Sequence, residues 1–198
     1  MKTRLPIVPT IIVLAAVATM IGLGVWQLRR AQWKEGLIHR YAEAETLPPI
    51  TWPTVPLKDA DLPLFRHATG LCQRIVGKRA VAGENRAGDP GYVQVVDCAT
   101  GAEGPGMSVQ LGWSQNPNAK FAWHGGLVSG LIGPDSRTRM RLVAASAPQG
   151  LEPSAPPSIR AIPNNHRSYA LQWFSFAAIA LVIYGLAVRK RMKEEPKA

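Results

Sequence analysis

The sequence predicts a membrane-anchored α+β protein, in which two transmembrane helices bracket a small antiparallel β-sheet or barrel-like domain. Three observations carry this. Two long apolar runs, Leu5 to Leu28 and Tyr169 to Val188, lie near the two ends of a 198-residue chain, and each matches the roughly 20 residues a helix needs to cross the hydrocarbon core of a bilayer. Between them, short apolar pieces alternate with Gly and Asp/Asn clusters, the texture of strands and tight turns. The composition, 46% hydrophobic with mean hydropathy near zero, is too polar for a polytopic bundle and suits a small domain on an anchor.

The first run, residues 5–28, follows Lys2 and Arg4 directly. A cleaved signal peptide is one alternative, because Ala16-Val17-Ala18 has the small-x-small form of a cleavage site. The apolar run continues through Met20 to Trp26, however, so an uncleaved anchor is simpler. Nothing near it resembles an Arg- and Ser-rich transit peptide, which points to a bacterial inner membrane. Residues 29–64 then read as a helical extension, with Trp33, Leu37 and Tyr41 at helical spacing, followed by a connector broken by Pro48, Pro49, Pro53, Pro56 and Pro63.

Residues 65–148 form the β domain. Strands are expected over Arg66–Ile75, Val76–Val81, Tyr92–Cys98, Met107–Trp113, Gly126–Ile132 and Arg139–Ala145, arranged as an antiparallel sheet or open barrel. Residues 149–168 are a second proline-rich connector with a helix cap, 169–188 the second span, and 189–198 a basic tail.

Positive clusters stay cytoplasmic. Lys2 and Arg4 at one end and Arg189, Lys190, Arg191 and Lys193 at the other therefore place both termini inside and the large loop in the periplasm. That loop, residues 29–168, carries 16 Lys and Arg against 11 Asp and Glu, a net of only +5. A modest charge at a periplasmic address argues against nucleic-acid binding.

Cys72 and Cys98 fall on neighbouring predicted strands in an oxidising compartment, so they are a disulfide candidate, with two separate buried thiols as the alternative. No G-x-S-x-G, P-loop, dinucleotide fingerprint or H-E-x-x-H occurs, and Gly101 to Gly106 makes a weak phosphate cradle. His39, His67 and His124 are scattered. The residues do not point to an enzyme.

The polar cluster Asn164-Asn165-His166 at the mouth of the second span is more informative. There a histidine can ligate iron, switch charge with pH or sit at a helix cap. On the first helix Trp26, Arg30 and Trp33 share one face; on the second His166, Tyr169, Ala170 and Trp173 share another. Both faces lie about one bilayer thickness from the cytoplasmic ends. A pocket at that level would offer an imidazole for iron, Arg29 or Arg30 for carboxylates, and indole rings for a flat macrocycle, the inventory of a haem site. Ordinary interface anchoring by Trp, Tyr and Arg is the plainer alternative, with Asn165 as a helix cap.

Two stretches also resemble known motifs. Gly24-Val25-Trp26-Gln27-Leu28-Arg29-Arg30-Ala31-Gln32-Trp33-Lys34 and Pro163-Asn164-Asn165-His166-Arg167-Ser168-Tyr169-Ala170-Leu171-Gln172-Trp173-Phe174 look like the bracketing motifs of the Surfeit-locus-one family of cytochrome c oxidase assembly factors. Asn85-Arg86, Pro90-Gly91-Tyr92 and Leu111-Gly112-Trp113 resemble its strand motifs. The chain departs from the family at Leu111, where an arginine is usual, and between Ile132 and Pro163, which is abbreviated. The resemblance implies a two-helix inner-membrane protein that delivers haem a to the catalytic subunit of a haem-copper oxidase, alongside other assembly factors and membrane lipid. It makes His166 the candidate iron ligand, with Trp26, Gln27, Arg29, Trp33, Asn164, Asn165, Tyr169 and Trp173 around it. A structural scaffold that steadies the nascent oxidase by helix packing, without touching haem, is the alternative.

Overall fold

A computed structural model describes residues 6–101 and 106–194. Lys2, Arg4, Leu5, residues 102–105 of the glycine-rich turn and the last four residues of the basic tail lie outside the described residues. The chain divides into two compact units: the helices up to Leu37 and from Pro163 onward, and a β domain spanning Ile38–Ile162.

In the first unit, α1 (Ile7–Thr46) and α2 (His166–Glu194) are both long and apolar enough to cross a membrane. At 1.5 Å per residue α1 rises about 60 Å, twice the hydrocarbon thickness of roughly 30 Å. α2 begins three residues before the apolar run and continues into the basic tail. The helices run antiparallel: the Thr10 hydroxyl meets that of Tyr184 near one end, and Glu35 meets Arg167 at the other. Their buried positions recur every seven residues, at Val17, Gly24 and Ala31 on α1 and at Ala170 and Ala177 on α2. This is a narrow seam of small residues that lets two backbones approach, as membrane helices require when water supplies no driving force between them. Away from the seam, Ile11, Ile12, Val182 and Ile183 each expose more than 60% of their surface, a surface suited to lipid.

The second unit is built on a seven-stranded sheet of order β1-β2-β6-β7-β5-β4-β3, with β1 Ile50–Thr51, β2 His67–Cys72, β3 Arg74–Glu84, β4 Pro90–Ala99, β5 Met107–Ser114, β6 Gly126–Asp135 and β7 Arg139–Ala144. The six longer strands overlap the six expected ones, although the break expected between Ile75 and Val76 falls at Gln73 and β3 runs on to Glu84. The expectation of an antiparallel sheet is corrected: the sheet is mixed, because β1 pairs with β2, and β5 with β7, in parallel.

Topology supplies the reason for the second parallel pair. β2 and β3 are one strand bent at Gln73, pairing with β6 on one side of the bend and with β4 on the other. The sheet thus curls into a ring of five members: the bent strand, β6, β7, β5 and β4. An odd ring cannot alternate direction all the way round, so at least one neighbouring pair must be parallel. The short β1 was hidden in the proline-rich connector, where two residues give no periodicity to read.

Inside the curl lies an apolar core of Trp52, Ala68, Cys72, Val96, Cys98, Met107, Val109, Leu111, Ile132 and Leu142. Cys72 and Cys98 are bonded, with an S–S distance of 2.05 Å and Cα atoms 5.2 Å apart. They are not hydrogen-bonded neighbours in the sheet. The disulfide closes the corner at which the bent strand changes partner, where Gln73 N–H also donates to Ala99 C=O at 3.0 Å.

A register shift between Gln94 and Val95 of β4 leaves Leu111 of β5 unpaired opposite it. Such a bulge reverses the side chains that follow. Leu111 accordingly stays in the main core, while Trp113 turns to a second cluster with Val93 and Val95. That assigns a packing role to the residue at which the chain departs from the resembled motif.

The stretch 149–162 crosses the outer side of the sheet. Glu152 exchanges backbone hydrogen bonds with Trp113 at 2.7 and 2.9 Å, Ala155 N–H donates to Glu84 C=O at 2.9 Å, and the buried Ser154 hydroxyl accepts from Gln110 Nε2 at 2.6 Å. Proline-rich sequence here means an edge-type strap without a regular ladder, ending in a short 3-10 turn at Ile159–Ala161.

Candidate functional site

His166 is the first residue of α2. The first helical bond runs from Tyr169 N–H to Asn165 C=O at 3.2 Å. His166 is half-buried, and its Nδ1 lies 2.7 Å from Oε1 of Gln27 on α1. One residue on, Arg167 grips Glu35 through two bonds, Nε to Oε1 at 2.9 Å and Nη2 to Oε2 at 3.0 Å. The two motif segments therefore meet through side chains, with Gln27 and Glu35 on one helix facing His166 and Arg167 on the other.

The remaining residues expected at the site are arranged differently from the shared pocket the sequence suggested. Trp26 and Trp33 each follow a buried seam residue, Gly24 and Ala31, by two positions, about 200° around the helix, and are 56% and 50% exposed. Arg29 and Arg30 are exposed as well, and the Arg30 guanidinium lies over the Trp33 ring at 4.1 Å, a cation–π pair. Tyr169 is 50% exposed. Trp173 is half-buried and meets Phe176 edge-on at 6.3 Å. The structure thus brings His166 together with Gln27, while Trp26, Arg29, Arg30, Trp33 and Tyr169 occupy the outer faces. Gln27, marked in the sequence only by the family resemblance, stands three residues after Gly24 and four before Ala31, on the small-residue seam.

At the heart of that seam the ring of Phe174 occupies the space a Cβ on Gly24 would need, its Cε1 only 2.6 Å away. A Gly24→Val variant is expected to lose about 1–3 kcal/mol through overpacking. Gly22→Val, with nothing within 4 Å, is expected to be neutral. Unfolding of the detergent-solubilised protein checks the pair, and equal midpoints would sink this account of the seam.

In the β domain a second polar constellation escaped sequence reasoning. Asp135, whose side chain is 1% exposed, bonds Arg79 Nη2 at 3.0 Å and Arg141 Nη1 at 3.2 Å. Burial alone would raise its carboxyl, but the amide and hydroxyl of Thr138 and the guanidinium of Arg79 outweigh that and hold it below the usual carboxylate range. Burial also lowers Arg141, with Asp135 opposing. Ser108 links this group to Asp97, donating at 2.6 Å. These residues come from five strands, so no local spacing announces them. Among the described residues, no three His, Cys, Asp or Glu side chains gather as a metal-binding group.

Two paired helices, each long and apolar enough to cross a membrane and braced by one histidine, are joined in sequence to a curled β domain, an architecture of the membrane-anchored α+β class. The chain belongs to the SURF1 family, whose sequence model matches residues 14–178, a span that includes both motif stretches. That family is linked to cytochrome oxidase assembly. No individually curated protein is detectably similar in sequence.

Proposed function

We propose that this protein is a non-enzymatic assembly factor of a haem-copper cytochrome c oxidase, holding haem a transiently and assisting its insertion into the catalytic subunit. Haem a is here the cargo. The observation that carries the reading is the contact of His166 with Gln27, because it joins the family's two distant motifs at one point and leaves one imidazole nitrogen for iron. A single histidine suits a carrier that must release what it binds. Trp26, Arg29, Arg30, Trp33, Tyr169 and Trp173 would act around it as membrane-interface and partner contacts. We place the helices across the bacterial inner membrane with both termini cytoplasmic and the β domain in the periplasm, following the positive tails.

The test is to purify the protein from cells making haem a and record its absorption spectrum beside that of His166→Ala. The wild type is expected to carry haem a, and the variant at least about tenfold less, the scale on which loss of a ligand's support already acts. A wild type without haem, or a variant carrying as much, favours a scaffold that steadies the oxidase by helix packing alone.

A further inference from the structure

We infer that Gln27 is the positioning residue for His166, accepting the hydrogen bond of its Nδ1–H and so presenting Nε2 as the nitrogen free to ligate; this rests on the haem reading above. A side-chain amide oxygen can only accept, and a neutral imidazole carries one proton. With Gln27 Oε1 at 2.7 Å, the proton belongs on Nδ1. Nε2 then keeps its lone pair.

Helix packing fixes the geometry of both partners. Gln27 stands between Gly24 and Ala31, and His166 lies one turn before Ala170, all three of these seam residues being buried. At a membrane-facing level, where water competes poorly, such a bond is worth more than at an aqueous surface.

The choice of an amide matters chemically. Ligating histidines commonly donate their second N–H to an acceptor that orients the ring and raises its basicity. A neutral amide orients as well as a carboxylate but pulls less on the proton, which leaves Nε2 a weaker donor to iron. That is what a site built to hand over its cargo requires. It also separates the roles of the two helices: α2 supplies the ligand and α1 aims it.

The experiment uses the full-length, haem-free protein in detergent, with ¹⁵N-labelled histidine, in alkaline buffer that leaves imidazole neutral; the His166 signals are assigned by their absence from His166→Ala. Wild type is expected to show His166 protonated at Nδ1 and bare at Nε2. Gln27→Met, which keeps the bulk but not the strong acceptor, is expected to give mixed tautomers and to bind added haem a about tenfold to a hundredfold more weakly. Gln27→Glu restores an acceptor and is expected to restore both the tautomer and haem uptake, which a merely space-filling role would not. A wild-type ring protonated at Nε2, or a Gln27→Met protein indistinguishable from wild type in tautomer and titration, overturns the inference. If the tautomer is locked and Gln27→Met releases it, but no form takes up haem a, the placement by Gln27 stands and the haem reading falls.

Discussion

An Asp135→Ala variant is expected to lose about 3–5 kcal/mol of β-domain stability, the range for removing one partner of a buried charged network. Its carboxylate accepts from Arg79 at 3.0 Å, Arg141 at 3.2 Å, the Thr138 amide and hydroxyl at 2.8 Å each, and the Arg137 amide at 3.1 Å. Removing it leaves the Arg141 guanidinium without its carboxylate partner and Arg79 with only Asp97, at 4.0 Å. It also frees the turn between β6 and β7, which Asp135 ties down by bonding to amides two and three residues ahead.

The pH dependence has a definite sign. The folded carboxyl titrates below its ordinary value, while an unfolded aspartate titrates near 3.9. Its contribution is therefore fully present above about pH 4 and is lost as pH falls through the lower, folded value. Urea unfolding at neutral and acid pH should show wild type losing more stability on acidification than Asp135→Asn. Identical acid sensitivity in the two proteins would remove Asp135 from the account.

The double variant Cys72→Ala/Cys98→Ala is expected to unfold about 3–4 kcal/mol more easily, the loop-closure value for a separation of 26 residues. The bond closes the corner where the bent strand leaves β6 for β4, so its loss leaves that corner to the Gln73 N–H to Ala99 C=O hydrogen bond and the flanking strand pairs. Both cysteines are 1% exposed, so added thiol should act on the native wild type only slowly but should bring its unfolding midpoint to that of the variant once it has been unfolded. A variant with the wild-type midpoint would show that the strand pairing alone holds the corner.

Legibility varied with how local the physics is. The two helices could be read because a bilayer imposes a length and an apolar composition on consecutive residues. Strands β2 to β7 could be read in outline because short apolar pieces are set apart by Gly and Asp/Asn clusters, and β1 could not, being two residues long. His166 could be singled out from a polar cluster abutting an apolar run. Its partner Gln27 is marked only by the family resemblance and not by spacing, because Trp26, Arg30 and Trp33 display a more conspicuous helical face than Gln27 does. Helix packing chose the face with the small residues, since bulky Trp and charged Arg hold backbones apart where Gly24 and Ala31 let them close.

What the sequence by itself determined is the inventory and order of the elements: apolar length, proline breaks, strand alternation and the placement of one histidine at a helix start all depend on neighbouring residues. Only the tertiary structure decided which of them meet. The parallel pairing of β5 with β7 follows from closing an odd ring, the meeting of Arg79 with Asp135 and Arg141 from strands 56 residues apart, and the His166–Gln27 contact from side chains 139 residues apart in sequence. Those outcomes depend on chain closure and side-chain volume across space, which no local pattern encodes.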